Sequence, residues 1–360
     1  MTIKVDTVTD AAGTGAPNIP DGVTIAGTAL ASVNQMEYVS SAEPPSAPSN
    51  GALWWDSANE LFQMYVNNAW YEVTTIPPPV WYGSRGLFGG GFSTTTDTID
   101  YVTIATAGNA TDFGNLSSAR YALAACSNTA RGLFAGGSPN SIGNKIEYVT
   151  VATTGNSTAF GDLTKVVSYL ASCSSGVRGL FAGGTEYDPG TGGSADTNTI
   201  SYVTIATTGN AVDFGDLTVA RDGLAACSNG DRGVFGGEST IDYVTIATTG
   251  NATDFGNFFS AKSYLAGFSS DVRGVFGGGT NTNIIQYITI ATTGNATDFG
   301  DLTVARSGLA GCANGTRGVF GGGDPSSDTI DYITIATPGN ATDFGNLTVG
   351  RKYISACSGT

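Results

Sequence analysis

RGVFGGG runs from Arg273 to Gly279 and again from Arg317 to Gly323, and RGLFGGG runs from Arg85 to Gly91. The same seven letters at wide intervals signal an internal repeat, and working outward recovers the rest of it. A Tyr opens Y-[VI]-T-[IV]-A-T at Tyr101, Tyr148, Tyr202, Tyr243, Tyr287 and Tyr332. Twelve residues later comes a Phe followed by Gly: Phe113, Phe160, Phe214, Phe255, Phe299 and Phe344. Thirteen residues after each Phe stand Cys126, Cys173, Cys227, Phe268, Cys312 and Cys357, and an Arg-Gly follows the first five of these. The six copies lie 41 to 54 residues apart, a period that belongs to propellers or solenoids.

Each copy holds four short apolar runs. In the sixth they are Arg317–Gly322, Thr329–Thr337, Ala341–Leu347 and Arg351–Ser358. Val, Ile, Thr, Tyr and Phe dominate, turn residues separate the runs, and no helical period is sustained, so the fold class is all-β. The runs lack clean in/out alternation, as strands buried on both faces do. The double Gly closing the first run suits chain passing chain too closely for a Cβ.

The totals narrow the function. The chain has 360 residues, 52 of them Gly, and only 12% are charged. With a net charge of −15 it offers no basic face to nucleic acid or to an anionic membrane. No apolar run is long enough for a transmembrane helix, and MTIKVDTVTD has no apolar core of a secretory signal. His is absent, which removes the commonest general base and most zinc or copper sites.

Apolar residues running into Gly-Gly, a variable loop, a Tyr strand and then F-G-[DN]-L-x-x-x-R make a pattern that resembles the kelch motif. Phe113, Phe299 and their equivalents hold the place where kelch repeats usually carry Trp. The resemblance covers residues 85–360 and implies a six-bladed kelch-like β-propeller. Phase sharpens the expectation. The first copy lacks the strand that precedes Arg-Gly elsewhere, and the last copy ends on it. Residues 351–358 are therefore expected to pair beside 85–90, completing the first blade and removing two sheet edges.

Residues shared by every copy read as architecture. The five Cys occupy one slot and are expected to be reduced, buried and apolar in role. A base follows the Phe by seven residues at Arg120, Arg221, Lys262, Arg306 and Arg351, with Val167 in copy two. An Asp precedes the Phe at Asp112, Asp213, Asp254, Asp298 and Asp343, with Ala159 in copy two. Copy two lacks both, so the two slots are expected to pair. The Asn-x-Thr triplets at Asn109, Asn156, Asn251, Asn295 and Asn340 read as turn chemistry rather than glycosylation.

One interval varies. From the Arg of Arg-Gly to the next Tyr the distances are 16, 17, 24, 11, 14 and 15, so the length variation falls on one face. The longest loop, TEYDPGTGGSADTNT at 185–199, contains the candidate partner- or glycan-binding residues Tyr187, Asp188, Asp196 and Asn198. Asp188, Asp196, Asp324 and Asp328 give these loops oxygen ligands of the kind calcium takes, but without EF-hand or RTX spacing, and no metal or cofactor is assigned.

The first eighty residues differ. Residues 1–43 are small and polar and read as an extended arm that gains order from a partner, with Val5, Asp6, Ile19 and Pro20 as candidate attachment residues. Residues 44–75 read as a small Trp-rich β-hairpin module, Leu61–Val66 and Ala69–Val73 flanking Asn67-Asn68. Residues 76–84 carry Pro77-Pro78-Pro79 as a stiff linker to the propeller at 85–360. The segment P-S-x-P-x-N-G-x-L-W-W-D with its aromatic hairpin resembles a module of bacteriophage tail-fibre and other virion structural proteins. The opening I-K-V-D-T-V-x-D-x-x-G-T-G is similar to their attachment segments. That resemblance implies a non-enzymatic virion protein: the arm binds other virion proteins, and the propeller loops contact the host surface through a glycan. A homo-oligomer fits the same reading. The alternatives are a decorating or spacer protein without receptor binding, and a glycan-processing propeller enzyme.

Overall fold

The computed structural model describes residues 83–359 throughout. Before them it describes seven strand segments between Ile3 and Thr75 and the single positions Pro44, Ser46 and Ala52. The chain divides into two compact units at Val80/Trp81.

In the first unit the described strands form one sheet in the order Thr28–Ala29, Val23–Ile25, Ile3–Val5, Ala69–Thr75, Leu61–Val66, Leu53–Asp56, Tyr38–Ser41. The expected hairpin is present, with Val66 opposite Ala69 across Asn67-Asn68. Described strands from the expected arm at 1–43 and from the expected module at 44–75 share this sheet. Ile3–Val5 lies parallel to Ala69–Thr75, and Tyr38–Ser41 lies parallel to Leu53–Asp56. Val5 pairs with Val23 and Thr75, whereas Asp6, Ile19, Pro20 and the linker residues 76–82 lie outside the described residues.

The second unit is all-β, with six antiparallel sheets that follow the repeat; the one helical turn among its described residues is the 3-10 segment Asn140–Ile142. The second sheet serves as the pattern: Ala124–Ser127, Arg131–Ala135, Lys145–Thr150 and Thr158–Asp162, each hydrogen-bonded to the next. We call these the inner, Arg-Gly, Tyr and outer strands. In the fourth sheet the short loop lets the Arg-Gly and Tyr strands run together as Arg232–Thr245. The C-terminal strand Ser355–Gly359 pairs antiparallel with Arg85–Gly89 and supplies the inner strand of the first sheet, as phase required.

The repeated residues are spent mainly on the joints between sheets. Each Arg of Arg-Gly stacks on the Tyr of its own sheet at 4.3 to 4.7 Å. That Tyr meets its Phe edge-on, as Tyr148 meets Phe160. The guanidinium also donates to carbonyls of the following sheet. Arg131 reaches Ile205 and Ala206, and Arg317 of the last sheet reaches Ile104 and Ala105 of the first. The Gly beside it receives the thiol of the preceding sheet: a Cβ on Gly179 would stand 2.7 Å from Cys126 Sγ. The five Cys are buried and unpaired, and burial drives their thiol pKa values upward.

A Ser following the Cys adds another joint. Ser174 Oγ donates to Ser127 O, Ser228 to Ser174 O, Ser269 to Ser228 O, Ser358 to Ala313 O and Ser127 to Ser358 O, all at 2.6 to 2.7 Å. Only Ala313, without a hydroxyl, interrupts the series. At the outer edge the Asn of each triplet accepts from the preceding sheet: Asn156 Oδ1 from Asn115 N and Asn109 Oδ1 from Asn346 N.

The expected pairing of the base slot with the Asp before Phe is corrected. Asp112, Asp213, Asp254, Asp298 and Asp343 are exposed. The four buried arginines pair instead with the residue before the Tyr of the following copy: Arg120–Glu147 at 3.1 Å, Arg221–Asp242 at 2.8 Å, Arg306–Asp331 at 2.9 Å and Arg351–Asp100 at 2.8 Å. Each acid also accepts from the Ser or Thr after the preceding outer strand, as Asp242 does from Thr218. The role is structural, with a different partner.

Candidate functional site

All six variable loops leave the Gly-Gly end of the Arg-Gly strands. There several pair with the segment leading into the neighbouring inner strand, as in Tyr121–Ser138, Ser307–Asp324 and Phe92–Lys352. The longest is less loop than hairpin. Thr185–Tyr187 and Ser194–Asp196 pair with each other and extend from Val167–Ser168.

At the centre of this face stands an arrangement that the sequence reading missed. Two residues after each base slot, Val167 included, come Ala122, Tyr169, Gly223, Tyr264, Gly308 and Tyr353, all with φ between 54° and 62°. Their backbones bond in a circle. Tyr169 N donates to Ala122 O, Gly223 N to Tyr169 O, Tyr264 N to Gly223 O, Gly308 N to Tyr264 O, Tyr353 N to Gly308 O and Ala122 N to Tyr353 O. Left-handed backbone is costly for Tyr and persists only where the surroundings hold it, and six mutual hydrogen bonds do so here. Small residues alternate with Tyr because there is no room for six rings: a Cβ on Gly308 would stand 2.7 Å from Tyr353 Cδ1. That alternation every second copy was the available sequence signal.

The three rings meet edge to face, Tyr169–Tyr264 and Tyr169–Tyr353 at 5.5 Å and Tyr264–Tyr353 at 5.8 Å between centroids. Tyr121 continues the cluster at 6.3 Å from Tyr353, and Phe92 lies 5.1 Å from Tyr121 and is 39% exposed. Asp222 borders it, accepting from Tyr264 Oη at 3.3 Å and from Thr185 Oγ1 at 3.2 Å. Burial, with the Asp222 carboxylate beside it, pushes the Tyr264 phenol up to about 12.

The four loop residues singled out from sequence are divided. Tyr187 and Asp188 stand at the hairpin tip, where Asp188 accepts from Gly190 N and Thr191 Oγ1 and closes its own turn. Those bonds, the Thr191 hydroxyl foremost, lower the Asp188 pKa. Asp196 lies at the hairpin base near Asp222 and Glu238, and partial burial followed by these two like charges raises its pKa. Asn198 follows, its carbonyl accepting from Leu217 N. Asp324 is paired with Lys352 at 2.9 Å. Among the described residues no three Asp, Glu, Cys or His side chains are placed to hold a metal ion.

Cavities of about 90 and 80 Å³ lie between the inner strands, one lined by the Cys and Ser slots and the other by Leu, Ala and Gly. They have room for a few waters rather than a cofactor. Comparison with known proteins finds no family model that matches the chain and no match among curated proteins.

Proposed function

We propose that the six sheets are the blades of a kelch-like β-propeller. The chain is then a bacteriophage virion structural protein, its N-terminal unit bound to other virion proteins and its loop face turned to a glycan of the host surface. The observation that carries this reading is the division of labour within the repeat. Arg, Tyr, Cys, Ser and Asn slots are used up in joints between sheets, whereas the variable loops gather on one face around an aromatic centre. A rigid scaffold presenting variable loops is how binding surfaces are built. The resemblance of residues 1–75 to virion attachment segments and modules supplies the particle.

Catalysis forms no part of the proposal: the buried carboxylates belong to ion pairs that recur from sheet to sheet. The test is competition. Purified full-length protein, added in increasing amount, is expected to block adsorption of a phage that carries this chain. Folded protein that leaves adsorption unchanged would remove the receptor-binding role and favour a decorating part.

A further inference from the structure

We infer that the aromatic centre of the loop face, Tyr353 with Tyr169, Tyr264, Tyr121 and Phe92, is the glycan-binding platform, and that it takes neutral sugars. The inference rests on the receptor reading for its biological setting, but the site itself is argued from chemistry. Closing the fold does not require the rings, since Ala122, Gly223 and Gly308 hold the same backbone circle without one. Phe92 and Tyr121 stand outside that circle and carry the aromatic surface outward, Phe92 with 39% exposure. Among the described residues the Tyr169 and Tyr353 hydroxyls have no hydrogen-bond partner, although both residues are half-buried.

Aromatic faces take up the apolar C–H face of a pyranose, and carboxylates at the margin accept from its hydroxyls. Asp222 and, close to it, Asp196 and Glu238 supply that margin. Lys352 lies 5.4 Å over the Tyr353 ring but is paired with Asp324, and with Asp222, Asp196 and Glu238 beside it the margin is net negative. Negative charge admits neutral sugars and repels sialylated, uronate-bearing or phosphorylated ones. The rings touch one another at 5.5 to 5.8 Å and enclose no space, which rules out a cage around a quaternary ammonium.

The experiment uses the full chain against an immobilised panel of neutral oligosaccharides (hexose, deoxyhexose and N-acetylhexosamine) and anionic ones. Two variants are read beside it. Phe92→Ser alters an exposed side chain, and Tyr353→Ala copies what Ala122 already does in its own copy. Val177→Ser, exposed at the opposite end of the Arg-Gly strands, is the control. Binding to neutral members only, weakened about tenfold or more by each platform variant and unchanged by the control, is the expected result. The inference is overturned if no neutral sugar is bound, if anionic members are preferred, or if both platform variants bind like the parent. Adsorption assays separate the two readings. Parent protein that binds neutral sugars through the platform but leaves adsorption unchanged removes the receptor role and keeps the site. Platform variants that still block adsorption keep the receptor role and remove the site.

Discussion

Lys262 shows what a single repeat position contributes. In four sheets an Arg in this slot meets a buried acid, but here the base is Lys262 and the acid has become Gln286; in the third sheet both are lost, as Val167 and Ser201. The changes occur in step, which identifies the true partners. One coincidence, Val167 with Ala159, points to the Asp before Phe, whereas two coincidences, Ser201 in copy three and Gln286 in copy five, point to the residue before the next Tyr. Lys262 donates to Ile284 O at 2.7 Å, and burial, only partly offset by Asp298 and Asp301, lowers its pKa from 10.5 to about 8. Because the folded value is the lower one, the unfolded chain binds more protons between those limits. The penalty is complete below about pH 8, and stability rises as pH increases through the window. The five buried thiols, raised from 9.0, act in the opposite direction above about pH 8.5, so the Lys262 contribution is read as a difference between parent and variant, in which they cancel. Gln286→Glu, by supplying the missing anion, is expected to add about 1–3 kcal/mol at about pH 7.5, a margin that shrinks toward about pH 9.5 as Lys262 of the parent loses its proton. A margin from urea unfolding that stays constant or grows across that range would contradict it.

Strands were the most legible elements, since their identity depends on local composition and turn residues. Thr329–Thr334 and Thr342–Asn346 fall within runs marked out from the letters alone. The 185–199 segment is the exception: a Gly-rich stretch read as loop forms a hairpin because Val167–Ser168 offers it an edge to extend. The inner strands carry the Ser series, which went unread because Ser is common and its partner lies in another copy. That series predicts a stabilising change. Ala313 is the one position without the hydroxyl, so Ala313→Ser can donate to Ser269 O as its counterparts donate to theirs. A gain of about 0.5–1.5 kcal/mol in equilibrium unfolding is expected. A loss of stability would mean that this joint differs from the other five.

For the second unit as a whole, the decisive contacts span most of its sequence. Ser127 Oγ reaches Ser358 O, Arg317 reaches Ile104 O, Arg351 reaches Asp100, and Ser355–Gly359 completes the first sheet. Such contacts cost loop-closure entropy that local pairs do not, and they reward it only when all form together. A chain ending at Ile354 keeps every other strand but exposes the edge of Arg85–Gly89 and opens the Ser series. It is expected to aggregate and to lose a single cooperative thermal transition, measured by size-exclusion chromatography and melting. A monomeric, sharply melting product would show that the joint is dispensable.

Local chemistry, written six times, determined the repeat, its four strands, the buried thiols and the face on which loop length varies. Even the final strand's pairing could be read, because a missing piece at one end matched a surplus at the other. Three features required the tertiary structure: the partner of each buried base, the Ser series, and the Tyr circle at the centre of the loop face. Each joins residues of different copies through a contact whose geometry no stretch of sequence contains. A Tyr in left-handed backbone looks like an ordinary strand residue until five neighbours close the circle that holds it there.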